Sequence, residues 1–153
     1  MKPSIELIST LGDGNDGKRE SYKNPSGLAS DSDGNIIVAD SGNHRVLKID
    51  QAGILCWELG RKNSDGLSSA GTAQGEFNSP QGVCIGSDGS IWVADTGNCR
   101  IQKINSSGDP VIAFGSWGNG LGQFGGDGPL AIAVNENAHI LVCDSHTVVG
   151  GNH

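Results

Sequence analysis

"ADSGNHRVLKI", Ala39 to Ile49, returns fifty-five residues further on as "ADTGNCRIQKI", Ala94 to Ile104. Laying Pro25 on Pro80 extends the match without a gap to Ile49 and Ile104, and 14 of those 25 positions are identical. The shared skeleton reads P-x-G, then D-G, a short apolar run, A-D-[ST]-G-N-x-R and K-I. A third copy begins at Pro129: "PLAIAVNENAHILVCDS" keeps the proline, the turn, the apolar run and Asp144, after which the phrase dissolves into "HTVVGGNH". Repetition at such a period marks stacked or radial architectures, in which one supersecondary unit buries its apolar surface against the next.

Each copy reads as strands. "GLASDS" and "GVCIGS" are strand-like, with small residues near their starts that let another backbone approach closely. "SDGN", "SDGS" and "NENAH" turn the chain, since Asp-Gly and related pairs supply the left-handed positions that hairpins need. "IIVAD", "IWVAD" and "ILVCD" follow as second strands. They are apolar at consecutive positions, so both faces of the sheet must be covered. "DSGN" and "DTGN" make the next turn, where Asp40 and Asp95 are expected to accept the turn's own N–H groups and Gly42 and Gly97 to be left-handed. Asn43 and Asn98 complete the turns, and Arg45 and Arg100 reach for an Asp carboxylate at a fixed offset. "RVLKID" and "RIQKIN" form third strands, "ILCWELG" and "PVIAFG" fourth ones.

Four antiparallel strands per repeat, covered on both faces and repeating radially, describe the blade of a β-propeller. The segments "GLASDSDGNIIVADSGNHRVLKID" and "GVCIGSDGSIWVADTGNCRIQKIN" resemble NHL repeats, and the links "AGTAQGEFNSPQG" and "FGSWGNGLGQFGGDGP" resemble the Gly-rich connections between NHL blades. The fold expected is all-β: a partial propeller of about three four-stranded antiparallel NHL-type blades, an incomplete ring. Its parts are an isolated strand at about 5–12, blades at about 25–60 and 80–115, a partial blade at about 129–146 and a divergent tail at 147–153. Such an arc is expected to be part of a longer propeller or to pair with copies of itself, because exposed blade edges invite association.

The chain has 25 glycines and 5 prolines among 153 residues, few aromatics and a formal charge of -7. An acidic average disfavours phosphate backbones, so RNA is a disfavoured partner. No apolar run approaches the roughly 20 residues of a membrane span, and "MKPSIELIST" lacks the apolar core of a signal peptide, so a cytoplasmic location is expected. Cys56, Cys84, Cys99 and Cys143 lack metal-binding spacing and read as reduced, mostly buried thiols. Trp57, Trp92 and Trp117 are expected to pack between blades, and Phe77 and Phe124 to plug the links into them.

Strand parity places the "DSGNH" and "DTGNC" turns on one rim with the long links 61–79 and 116–128. Ser41, His44 and Thr96 in the turns, with Lys62 and Asp65 in the longer link, are the candidate partner-binding residues. No catalytic set, metal site or cofactor motif is legible. The resemblance to the NHL region of tripartite-motif proteins implies a non-catalytic interaction scaffold for an unknown protein partner, one that could serve as the recognition part of a ubiquitin ligase. RNA binding and membership of an NHL-like propeller lyase or hydrolase are the alternatives.

Overall fold

The computed structural model describes residues 21–145. The isolated strand expected at 5–12, His146 and the tail 147–153 lie outside them. Among the described residues, eleven strands form two successive antiparallel meanders and a hairpin. The first blade comprises β1 (Pro25–Ser30), β2 (Ile36–Asp40), β3 (Arg45–Ile49) and β4 (Leu55–Lys62), with a two-residue strand β5 (Ser68–Ser69) paired to the far end of β4. The second comprises β6 (Val83–Ile85), β7 (Ile91–Asp95), β8 (Arg100–Ile104) and β9 (Pro110–Phe114). In the third, β10 (Pro129–Val134) pairs with β11 (Ile140–Asp144) alone among the described residues. This is a partial propeller, and no helix among the described residues is long and apolar enough to cross a membrane.

The hairpin turns follow from side-chain chemistry. Asp31 Oδ1 accepts the N–H groups of Asp33 and Asn35 at 3.0 and 2.9 Å, and Gly34 takes φ 78°. Asn135 does the same for Asn137 and His139 at 3.0 and 2.9 Å. An Asx residue thus closes these turns using its own loop's amides.

Side chains alternate along each strand, so one face of a blade meets the next blade. Ile37, Ala39 and Val46 of the first blade pack with Phe77 against Val83, Ile91, Val93 and Ile104 of the second. Ala94 and Ile101 from the opposite face of the second blade meet Ile132 of the third, with Trp92, Phe124 and Val142 closing over them. Consecutive apolar residues in β7 are therefore required, because both faces of the second blade are interfaces, while in β2 the other face, Val38 with Leu47 and Ile49, packs with Tyr22 and Leu55. The central approach is close. A Cβ on Gly82 would stand 2.9 Å from Ala131 Cα and the Leu130 oxygen, and one on Gly27 would collide with the Gln81 carbonyl.

Candidate partner-binding rim

One buried carboxylate organises each turn between second and third strands. Asp40, fully buried, accepts the Lys23 N–H at 2.7 Å, the Asn43 amide at 2.8 Å and the Arg45 Nε–H at 2.7 Å. Asp95 repeats this with Asn78 N–H at 2.8 Å, Asn98 at 3.0 Å and Arg100 Nε–H at 2.7 Å, and adds the Gln102 amide at 3.0 Å. Burial pushes the Asp95 pKa up, against the hydrogen bonds from Asn78, Asn98 and Arg100 that lower it.

Two details differ from the expectation. The donors are not the turn's own N–H groups, which are engaged elsewhere: Gly42 N–H donates to the Lys23 oxygen at 2.8 Å and His44 N–H to Ser41 at 3.1 Å. The left-handed residues are His44 (φ 52°) and Cys99 (φ 50°), not Gly42 and Gly97. Those glycines answer a packing need instead. A Cβ on Gly42 would lie 2.7 Å from the Lys23 oxygen, and one on Gly97 2.8 Å from the Asn78 oxygen. The preceding link runs so close over each turn that no side chain fits beneath it.

Turns and links do share a rim. Asn98 donates to the Gly71 oxygen at 2.8 Å. Arg100 reaches the carbonyls of Thr72, Ala73 and Glu76 at 2.7, 2.8 and 2.8 Å. Gln102, buried, donates to Glu76 O at 2.7 Å and accepts the Gly75 N–H at 2.9 Å. Arg45 Nη1–H donates to Glu58 at 3.1 Å.

The candidate binding residues fall into two groups. Ser41 Oγ contacts Ser26 Oγ at 2.5 Å and donates to the Pro80 carbonyl. His44 Nδ1 accepts the Ser79 N–H at 3.0 Å, and buried Thr96 donates to the Pro129 oxygen at 2.7 Å. These three tie each blade to the next. Lys62, paired with Glu58 at 2.6 Å, and Asp65, which accepts the Leu67 N–H at 3.0 Å, lie on a projecting hairpin. There β4 overshoots its blade and returns as β5, and the tip is closed by Asn63 N–H to Leu67 O at 2.8 Å.

Sequence reasoning missed the apolar groups on this rim. Leu67 on the hairpin is 53% exposed, while Trp117 and Leu121 on the second link are 70% and fully exposed. Phe124 packs into the blade junction, and Trp117 bridges back to it from outside. Trp117 is therefore not an inter-blade residue, unlike Trp57, whose Nε1–H donates to Ser106 of the next blade at 3.2 Å. The available signal was an aromatic and a leucine in a Gly-rich link with no periodic partner.

Elsewhere, a groove of about 280 Å³ opens on the outer face of the first blade beside Tyr22, Leu28 and Val38. No cluster of three or more His, Cys, Asp or Glu residues suited to a metal occurs among the described residues. The four cysteines are free thiols, but against expectation Cys56 and Cys143 are exposed and Cys84 and Cys99 only half-buried.

The fold and its carboxylate-centred turns define a β-propeller protein built from blade repeats. Residues 22–49 and 77–104 match the family model of the NHL repeat, and the chain belongs to the NHL-repeat proteins. It is similar to human NHL repeat-containing protein 3, with 30% identity over 124 residues, covering 79% of this chain and 32% of that protein. Human NHL repeat-containing protein 2 is 39% identical over 79 residues, half of this chain and 10% of that protein. The chain thus spans about a third of the length of the first of these relatives. A virginiamycin B lyase from Staphylococcus aureus superposes with a TM-score of 0.58 at 18% identity, over 83% of this chain and 36% of that one, which shows a shared fold.

Proposed function

We propose that the chain is a non-catalytic interaction module that holds a protein partner on the rim of turns and long links. The observation that supports this reading is the set of large apolar side chains, Leu67, Trp117 and Leu121, exposed on the links flanking the second blade. Leaving such groups in water is unfavourable, and tryptophan is among the side chains that most often anchor interfaces. The links beneath them are held by backbone hydrogen bonds, Gly118 N–H to Phe124 O at 3.1 Å and Phe124 N–H to Ser116 O at 2.8 Å among them. A surface ordered before binding loses little entropy on docking. Lys62 and Asp65 supply polar contacts around Leu67, and Ser41, His44 and Thr96 hold the platform.

A protein suits this rim better than RNA. The repeat cations are already committed: Arg45 and Arg100 to carboxylates, Lys48 to Asp31 at 2.8 Å and Lys103 to Asp88 at 3.4 Å. In a parent resembling the tripartite-motif ubiquitin ligases, the module would form the recognition end.

The test compares proteins co-purifying with the wild-type chain and with W117A/L121A. Both substitutions are at exposed positions, so Tm and circular dichroism should be unchanged. A partner whose affinity falls at least tenfold in the double variant, measured with purified components, supports the reading. Partners retained at full affinity, or tight and salt-sensitive RNA binding, would overturn it.

A further inference from the structure

A crevice of about 100 Å³ opens between the first and second blades, on the rim opposite the long links. Buried Ile37 and Ile91, with Ile85, form its apolar walls, and Asp31, Asp33, Lys48 and Ser106 stand around its mouth. Close-packed interiors seldom leave a space larger than one water between packed layers. The repeat explains this one. Ile37 pairs with Lys48 as Trp92 pairs with Lys103, so Ile37 and Trp92 hold one position in successive blades. At the junction of the second and third blades the Trp92 indole packs against Ala94, Ile101 and Ile132. Lys103 covers it there, with Nζ 5.1 Å from the ring centroid. The isoleucine at the first junction is smaller than that indole and leaves the space open.

A carboxylate is left over at the same place. In the second blade Asp88 accepts the Ser90 N–H at 3.0 Å and the Ser90 hydroxyl at 2.7 Å, and Lys103 approaches it at 3.4 Å. Asp33 holds that turn position in the first blade, but the corresponding donors go to Asp31 instead. Asn35 donates its N–H and its side-chain amide to Asp31, both at 2.9 Å, and Lys48 pairs with Asp31 at 2.8 Å. The exposed Asp33 carboxylate makes no hydrogen bond or ion pair among the described residues. The turns 31–35, 50–54, 86–90, 105–109 and 135–139 on this rim carry Asp31, Asp33, Asp50, Asp88, Asp109 and Glu136 and neither lysine nor arginine. The crevice therefore opens into a field that attracts cations.

We propose that this crevice receives an apolar side chain from a basic segment of a partner protein. The side chain fills the space between Ile37, Ile85 and Ile91 that an indole takes in the next blade. A lysine or arginine beside it in the partner pairs with the Asp33 carboxylate at the mouth. Size selects the apolar residue: a dry cavity of about 150 Å³ holds the ring of benzene, so about 100 Å³ suits the smaller branched side chain of leucine. Charge selects its neighbours, because an acidic rim steers cationic segments to it and repels acidic ones. This surface is separate from the rim of long links, and neither reading rests on the other.

The test titrates the peptide Gly-Lys-Leu-Arg-Gly into the isotope-labelled whole chain and follows backbone amide shifts by NMR. Saturable shifts are expected at Asp33, Gly89 and Ser106. Alanine in place of the peptide leucine should weaken binding roughly tenfold, the loss expected for a buried side chain. Citrulline in place of the arginine, which removes the charge and keeps the shape, should weaken it roughly threefold at low salt. D33N should erase the preference for arginine over citrulline, and I37W, which copies the second blade, should erase the preference for leucine over alanine. Asp33 is exposed and unpaired, so D33N keeps the test valid should I37W fail to fold. No saturable binding, equal affinity of the leucine and alanine peptides, or a charge preference surviving in D33N would overturn the proposal. So would binding abolished by W117A/L121A, which would put the peptide on the other rim.

Discussion

Replacing Gly82 with alanine probes how closely the blades are stacked. The added Cβ would stand 2.9 Å from Ala131 Cα and Leu130 O and 3.0 Å from Ile132 N. All three are backbone atoms of one region of the third blade, and none can rotate aside. Carbon contacts settle at about 3.5 Å or more, so that backbone must retreat by about half an ångström. Overpacking of this kind costs about 1–3 kcal/mol. Gly82 is not left-handed, so alanine meets no backbone strain, and the stiffer unfolded chain offsets about 0.4–1 kcal/mol. The net destabilisation is about 1–2 kcal/mol, which lowers Tm by roughly 2–8 °C for a chain of this size. Gly120→Ala is the control, because its Cβ would meet only the Gln123 side chain. Thermal melts followed by circular dichroism decide the matter. G82A melting at or above G120A would refute the idea that glycine at this position is selected by blade spacing.

Three further outcomes are expected. R100K keeps the charge but loses the fork that spans three link carbonyls, so limited proteolysis within residues 61–79 should accelerate several-fold, whereas R45K should leave that link protected. The Asp31 carboxyl is held well below the usual carboxylate range by its hydrogen bonds from Lys48 and then Asn35. Its contribution to stability is therefore complete above about pH 4 and is lost as pH falls towards the depressed folded value. D31N should accordingly unfold less steeply with acid than the wild type in urea titrations between pH 5 and pH 2. With a chromogenic disulfide at pH 8, exposed Cys56 and Cys143 should react first and Cys84 last, because burial pushes the Cys84 thiol to about 11; mass mapping of the labelled peptides checks the order.

The parts of the fold legible in the sequence are those set by local chemistry and strand parity. Ile36 to Ala39 could only be a strand covered on both sides, and the Asp-Gly pairs could only be turns. Parity then placed the links beside the "DSGN" and "DTGN" turns. Illegible were features decided by another segment's approach. Gly42 was expected in the left-handed position, but His44 takes it, and Gly42 is a glycine because Lys23 lies over it. The hairpin at 61–70 reads as a polar connector by composition, yet Asp65-Gly66 is the kind of pair that turns the first two blades, and Gly66 has φ 80°. Trp117 and Phe124 were equally apolar candidates for one junction, and nothing short of the fold decides which of them enters it.

The geometry also explains where the repeat begins and ends. The matched units stop at Ile49 and Ile104, the ends of third strands, and take in link residues from Tyr22 and Phe77 onward. A blade drawn by its sheet would instead include β4 or β9. The difference follows from the carboxylate. Asp40 binds Lys23 N–H before its blade and Arg45 within it, while Asn43 donates to the Ser21 oxygen at 2.7 Å. Asp95 spans Asn78 to Arg100 in the same way. What recurs is thus a hydrogen-bonded closure of link, second strand and third strand, each fixing the others, and its polar residues have few substitutes because they are buried. The fourth strand adds backbone pairing and generic apolar contact, which many sequences supply, so "LCWELGRK" and "PVIAF" share almost nothing.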